Sequence, residues 1–298
     1  MDKKESRELR PMLSQNEGGD GVKVSIYEVG PRDGLQALRG FVPTDTKIAL
    51  IDALYTAGLT QIEETSLAHP KLVPQMADAE AVFKDGSVLV MNRRGFDRAV
   101  AMGAEKINIV LSPCETFNMK NMGKTRSELV LMYKTFMDKT PKANVRVYLS
   151  MAFGSPFSGQ FNPTTIKSCL RDAKMFGNTV VFADTVGAGT PNEVALYAEL
   201  AEEAGLKAAL HLHHKGDEQQ ALMLVRAGLL AGITEFDSSI GGLGGCPFVE
   251  SSGANISTEG LVLHLRAWGF DCGVEYDDLK PALSIVNTIL RTQDLPAV

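Results

Sequence analysis

A chain of 298 residues, 44% of them hydrophobic and 22% charged, has an ordinary globular composition and is long enough for one large α/β domain or two smaller ones. That balance excludes intrinsic disorder, collagen-like repeats and a coiled-coil rod. Acidic residues outnumber basic ones 36 to 30, for a net charge of −6, so a phosphate backbone is a poor partner and nucleic acid is not expected as a ligand.

Residues 1–21 lack apolar periodicity and carry Asp2, Glu5, Glu8, Glu17 and Asp20, which reads as a loose tail and not as a secretory or organellar leader. No stretch approaches the roughly 18 consecutive apolar residues of a membrane span. Cys114, Cys169, Cys246 and Cys272 are scattered without a Cys-x-x-Cys pair, which fits a reducing, cytoplasmic setting. From Val22 onward, β-branched runs alternate with amphipathic segments eight times. Strands are expected over 23–29, 61–65, 88–91, 106–111, 144–150, 179–183, 208–213 and 234–238. The segment 44–57 shows the helical pattern: Thr44 as a cap, Ile48, Ile51, Leu54 and Tyr55 on one face, and Gly58 as a stop. Similar capped helices are expected to begin near Thr125, Asn162, Thr190 and Asp217. Helices at 258–268 and 279–290 follow the last strand.

Strict alternation means parallel strands joined by right-handed crossovers, and eight units within about 250 residues fit a closed (β/α)8 TIM barrel. The expected organisation is one catalytic barrel over 22–298 whose extra C-terminal helices start near 257. An open doubly wound sheet fits less well, because the first strand is followed by Gly30-Pro-Arg-Asp-Gly-Leu-Gln36 and not by Gly-x-Gly-x-x-Gly.

Barrel active sites form at the C-terminal ends of the strands. Arg32, Asp33, Glu63, Asn92, Asp184, His211 and His213 all fall there. His211 and His213 are the most informative, since residues i and i+2 of a strand share a side and bring two imidazoles together. The spacing suits metal ligands, or two histidines that satisfy local hydrogen bonds, and the barrel context favours the ligands. Asp33 offers a carboxylate and Asn255 an amide oxygen, a mixed donor set that suits Mg²⁺ or Mn²⁺ better than structural zinc. His214 faces the other way. Gly241-Gly-Leu-Gly-Gly-Cys-Pro247 describes a loop able to carry Cys246 over the cup, although by composition a plain flexible connection around a buried thiol is the favoured reading. Arg32 suits a structural ion pair with Glu63 or Glu28 equally well.

Together these segments resemble the hydroxymethylglutaryl-CoA lyases, metal-dependent lyase and synthase barrels with an Arg-Asp signature after the first strand. The likeness runs from Val22 to about Trp268. It rests on Glu28-Val-Gly-Pro-Arg-Asp-Gly-Leu-Gln36, Ile62-Glu63 with Thr65-Ser66, Pro70-Lys71 with Val73-Pro-Gln-Met76, Asp184-Thr-Val-Gly-Ala-Gly-Thr-Pro191, His211-x-His213, Asp237-Ser-Ser239 with Gly242-Leu-Gly-Gly-Cys-Pro247, and Asn255 with Thr258-Glu259. The resemblance implies a divalent metal on Asp33, His211, His213 and Asn255, Arg32 near the substrate carbonyl, and a catalytic Cys246. It implies an acyl-CoA substrate cleaved between C2 and C3 to acetyl-CoA and acetoacetate, with His211 or Asp33 as the base. Supporting or substrate-binding positions are expected at Glu28, Gln36, Glu63, Asn92, Asp184, Thr185 and Glu259. Lys71, Arg93, Arg94 and Lys120 are candidate contacts for the phosphates of CoA. A homodimer or higher homo-oligomer is expected.

Two stretches depart from the family pattern. His211-Leu-His-His-Lys-Gly-Asp-Glu218 replaces the usual His-x-His-Asp followed by Thr-Tyr-Gly-Gln. Ser66-Leu-Ala-His-Pro-Lys-Leu72 lacks two aromatic rings of Ser-Phe-Val-Ser-Pro-Lys-Trp. A wider acyl pocket, and a preference for a longer branched 3-hydroxyglutaryl-CoA, is one expectation from that loss. A condensing synthase of the isopropylmalate or citramalate type shares the Arg-Asp and His-x-His features, but the Gly-Gly-Cys-Pro loop and the lack of a long C-terminal regulatory domain speak against it. A catalytically silent scaffold is disfavoured because every expected ligand and Cys246 are present.

Overall fold

The structure is a computed structural model and describes residues 22–138, 140–244 and 253–293. Eight parallel strands follow one another around a barrel: β1 (Ser25–Glu28), β2 (Glu63–Ser66), β3 (Ser87–Leu89), β4 (Lys106–Leu111), β5 (Val145–Ser150), β6 (Thr179–Asp184), β7 (Lys207–His214) and β8 (Glu235–Ser238). Each pairs in parallel with its sequence neighbour and β8 returns to β1, while a parallel bridge between Glu28 and Ile62 joins β1 to β2. The TIM barrel expected from the alternation is the fold. The eight strands fall where the sequence places them, to within two or three residues at their ends.

The outer layer is α1 (Thr44–Thr56), the short α2 (Ala79–Val82), α3 (Arg93–Ala101), α4 (Glu115–Met122), α5 (Arg126–Met137), α6 (Pro163–Lys174), α7 (Pro191–Glu203), α8 (Glu218–Leu230), α9 (Thr258–Ala267) and α10 (Lys280–Gln293). Side-chain caps start α5, α6, α7 and α8 at Thr125, Asn162, Thr190 and Asp217, each relieving an orphan amide of the first turn. Thr44 is not a cap. Pro43 occupies that position, and Thr44 Oγ1 donates instead to Asp78 Oδ2 at 2.7 Å, tying α1 to α2. Helix α10 packs against α1, and Gln293 Oε1 accepts from the Gly40 amide at 2.6 Å, so the last helix fills a place in the outer ring.

Two departures from a minimal barrel shape the C-terminal end. Two helices, α4 and α5, follow β4, and α4 stands over the strand ends as a wall. A ninth strand, β9 (Ala254–Asn255), pairs antiparallel with the end of β7, setting His213 opposite Asn255. No helix among the described residues is long and apolar enough to cross a membrane. The expected tail at 1–21 lies outside the described residues.

Candidate active site

At the C-terminal end of the barrel a cavity of about 550 Å³ opens between the strand ends and α4. Arg32 and Asp33 reach it from a single π-helical turn, Gly30–Gly34, that ends β1. Glycine is required at Gly30 and Gly34, where a β-carbon would sit 2.6 Å from Glu28 Oε1 and 2.8 Å from Ser239 Oγ. His211 and His213 enter from β7 on one side of the strand, as the i, i+2 spacing demands.

The two imidazoles point their Nε2 atoms at each other, 3.0 Å apart, and Asp33 Oδ2 lies 3.9 and 3.8 Å from them. Asp33, His211 and His213 form a group able to hold a metal ion, with donor atoms within 4.8 Å of one another. Neighbouring ligands of an octahedral ion with bonds of about 2.1 Å stand about 3 Å apart, which is the observed imidazole spacing. The charge states agree. Burial pushes the pKa of His213 down, the neighbouring His211 pushes the same way, and the ring is held neutral with a pKa of about 4. Burial would raise Asp33, but the Arg32 guanidinium and the two imidazoles outweigh it and hold the carboxyl at about 2. His211 Nδ1 lies 3.2 Å from Asp237 Oδ2, which orients the ring and leaves Nε2 for the cluster.

Arg32 is placed by two carboxylates: Nε bonds Glu63 and Nη1 bonds Asp33 Oδ1 at 2.6 Å. Glu63 in turn accepts from Asn108 Nδ2 at 2.7 Å. Of the two ion-pair partners open to Arg32 in the sequence, Glu63 is the one used. Glu28 is fully buried elsewhere, accepting from the amides of Gly30 and Ile240 at 2.7 and 3.0 Å and from Thr258 Oγ1 at 2.5 Å. Asn255 serves Asp33 as a donor: its Nδ2 gives one hydrogen bond to Asp33 Oδ2 at 2.8 Å and another to Leu243 O at 2.9 Å. Its side chain also bonds His213, so the amide borders the group formed by Asp33, His211 and His213.

Other expected positions divide between the cavity and the framework. Gln36, Asn92, Thr185 and Lys120 line the cavity. Asn92 also caps α3 through the Gly95 amide, and Thr185 Oγ1 accepts from the Met151 amide. Asp184 does not face the cup; its carboxylate accepts the amides of Ala188 and Gly189 at 2.8 Å each and closes the turn after β6. Glu259 accepts from the Gly241 amide at 3.0 Å and ties α9 to the start of the glycine segment. Arg93 pairs with Asp97 and lines a separate cleft beside Phe96 and Phe136, so it is removed from the phosphate candidates, and neither Arg94 nor Lys71 lines the cavity. Cys246 lies outside the described residues. Leu243 and Gly244, just before it, lie against Asn255, where a β-carbon on Gly244 would stand 2.0 Å from Nδ2.

Sequence reasoning gave no role to Tyr148, Asp237 or Lys124. Tyr148 lines the cavity, donates to Asp237 Oδ2 at 2.7 Å and sets its ring edge-on to His211. Asp237 stands beside His211 in the β7–β8 register. Lys124 joins Lys120 at the rim. The available signal was strand alternation: Arg146 and Tyr148 on β5 and Glu235 and Asp237 on β8 are i, i+2 polar pairs, and both pairs are buried among apolar neighbours.

Comparison with known proteins agrees with this geometry. The HMGL-like family model matches residues 23–286. The mitochondrial hydroxymethylglutaryl-CoA lyase of Rattus norvegicus is 37% identical over 287 residues, covering 92% of this chain and 88% of that protein. The cytoplasmic 3-hydroxy-3-methylglutaryl-CoA lyase of Danio rerio is 38% identical over 267 residues, covering 85% and 79%. A solved HMG-CoA lyase from Acinetobacter baumannii, in complex with coenzyme A and 3-methylmalate, superposes with a TM-score of 0.82 at 29% identity, covering 93% of this chain and 98% of that one. With a family model spanning nearly all of the barrel and relatives this similar over most of their length, the chain belongs to the hydroxymethylglutaryl-CoA lyase family.

Proposed function

We propose that the protein is a divalent-metal-dependent carbon–carbon lyase that cleaves 3-hydroxy-3-methylglutaryl-CoA, or a close 3-hydroxyacyl-CoA relative, to acetyl-CoA and a 3-oxo acid. The single observation that carries the reading is the convergence of the His211 and His213 Nε2 atoms with the Asp33 carboxylate beside a buried Arg32. Mg²⁺ or Mn²⁺ fits this donor set, held by Asp33, His211 and His213, with Asn255 steadying Asp33. When bound, the ion would supply Lewis acidity to the oxygens of the substrate.

The chain's own residues do the rest. The tertiary hydroxyl gives its proton to the Asp33 carboxylate, since both ring nitrogens of His211 are engaged, and the electrons left on oxygen form the carbonyl of the departing 3-oxo acid as the C2–C3 bond breaks. Charge then develops on the thioester enolate. Arg32 meets it with Nη2, which no hydrogen bond engages among the described residues, while Nε and Nη1 stay fixed to Glu63 and Asp33. Such preorganised donors cost no reorganisation during reaction. Cys246 is proposed to protonate the enolate carbon, giving acetyl-CoA. Lys120 and Lys124 at the rim suit the phosphates of CoA. The cytoplasmic setting and a homo-oligomeric state are retained as part of this reading. The condensing-synthase reading draws no support from the relatives above, whose names are those of lyases.

Arg32→Ala and Cys246→Ala test the assignment. Each is expected to lower turnover of hydroxymethylglutaryl-CoA by about 100-fold or more, with an unchanged circular dichroism spectrum. Wild-type turnover in both variants removes the roles assigned to them.

A further inference from the structure

Three parts of the site meet at Ser239, the fully buried residue that follows β8. Its amide donates to Ile256 O at 3.0 Å, and its carbonyl accepts the amides of Thr258 and Gly242 at 3.1 and 2.9 Å. Those bonds hold the strand end that carries Asn255 and the start of the glycine segment. The side chain faces the third part, the turn that bears Arg32 and Asp33. β-Carbons built on Gly30 and Gly34 would both point at Ser239 Oγ and end 3.2 and 2.8 Å from it. That oxygen has no hydrogen-bond partner among the described residues. A buried hydroxyl without a partner costs stability, so its presence calls for another reason. The turn itself has little restraint of its own, because one carbonyl, Val29 O, receives the amides of Arg32, Asp33 and Gly34 together at 3.1, 2.7 and 3.2 Å.

We propose that Ser239 is a positioning residue for the lyase reaction: its Oγ is the spacer that fixes how far the Arg32 and Asp33 turn stands from the strand end bearing Asn255. The hydrogen bond from Asn255 Nδ2 to Asp33 Oδ2, 2.8 Å long, closes a ring of contacts that runs through Ser239. Moving the turn therefore moves the Asp33 carboxylate relative to Asn255 and to both histidines. There is no slack on the neighbouring side, where Leu243 Cβ would lie 2.9 Å from a β-carbon on Gly34. A larger side chain at 239 is accommodated by displacing the turn. The inference rests on the lyase reading and adds a residue that acts through Arg32 and Asp33.

Three substitutions separate size from chemistry. Ser239→Thr and Ser239→Val each add one heavy atom, the first keeping the hydroxyl and the second losing it, whereas Ser239→Ala removes one. In the metal-loaded protein, kcat for hydroxymethylglutaryl-CoA is expected to fall about 100-fold in the Thr and Val variants. KM should stay within about threefold, because coenzyme A is met at the rim. Calorimetric titration with Mn²⁺ alone, which needs no turnover, should show about 10-fold weaker binding in both. Ser239→Ala should lose no more than about fivefold in either measurement. Gly34→Ala, which presses on the same oxygen, should lower kcat comparably, and adding Ser239→Ala should recover about fivefold of that loss. This rescue can be read even where the Thr and Val variants fail to fold. Wild-type kcat and Mn²⁺ affinity in the Thr and Val variants, with only a lowered urea midpoint, overturn the proposal. So does an alanine variant that falls as far as they do, or a Gly34→Ala defect that Ser239→Ala leaves untouched. A wild-type protein that cleaves no thioester, while the Thr and Val variants still weaken Mn²⁺ binding, counts against the lyase reading and supports the spacer.

Discussion

The barrel interior contains two charged clusters that share a boundary and differ in one respect. Deeper along the strands, Arg146 is bracketed by Glu235 and Asp237, its guanidinium lies 3.5 Å from the ring centroid of Tyr27, and Lys207 reaches Glu235 as well. At the strand ends, Asp33 Oδ2, His211 and His213 instead aim donor atoms at one another, while Arg32 pairs with the other oxygen of Asp33. The deep cluster has opposite charges in contact and asks for nothing more. The upper one gathers like donors, an arrangement that favours a bound cation. Asp237 belongs to both, through Arg146 below and His211 above.

That contrast can be broken from either side. His213→Ala removes a donor from the upper cluster. Turnover and metal affinity are expected to fall by well over 100-fold, beyond the effect of losing an outer-shell partner, while urea denaturation of the metal-free protein shifts by less than about 1 kcal/mol. Arg146→Met reverses the pattern. It leaves Asp237 without its guanidinium and Glu235 with Lys207 alone, and should cost about 3–5 kcal/mol in the same urea experiment. Asp237→Asn stands between them: metal affinity measured by calorimetry should fall by about 10–100-fold, together with a loss of stability.

Glu28 gives the most specific effect. Burial raises its pKa to about 7, against the hydrogen bonds from Thr258, Ile240 and Gly30. Its folded pKa exceeds the unfolded value of 4.5, so the folded protein holds the proton more tightly between those values and stability falls as pH rises through that window. Over the window the loss is on the order of 3 kcal/mol. Glu28→Gln can keep these contacts without the charge. Its urea stability, measured from pH 5 to 8, is expected to lose much of the downward slope of the wild-type protein.

Much of the fold was legible because alternation and caps are local signals. Thr125, Asn162, Thr190 and Asp217 announce their helices within a few residues. Thr44 misleads, because its partner Asp78 lies on another helix and local sequence cannot show that competitor. The cup was partly legible for the same reason: His211 and His213 declare themselves by spacing, and Arg32 with Asp33 by adjacency. What stayed hidden depends on register between strands distant in sequence. Asp237 meets His211, and Asn108 meets Glu63, only after the barrel closes. Asp184 and Glu259 look like supporting or substrate-binding positions, yet their carboxylates are taken up by backbone amides of neighbouring turns.

The most direct test is release of acetyl-CoA from hydroxymethylglutaryl-CoA, measured on the purified protein, after exhaustive chelation, and after adding back Mg²⁺ or Mn²⁺. Activity that disappears on chelation and returns with the ion in the wild-type protein, but does not return in His213→Ala, is the predicted result. Undiminished release of acetyl-CoA by the chelated protein would contradict the claim that Asp33, His211 and His213 form the metal centre of a lyase.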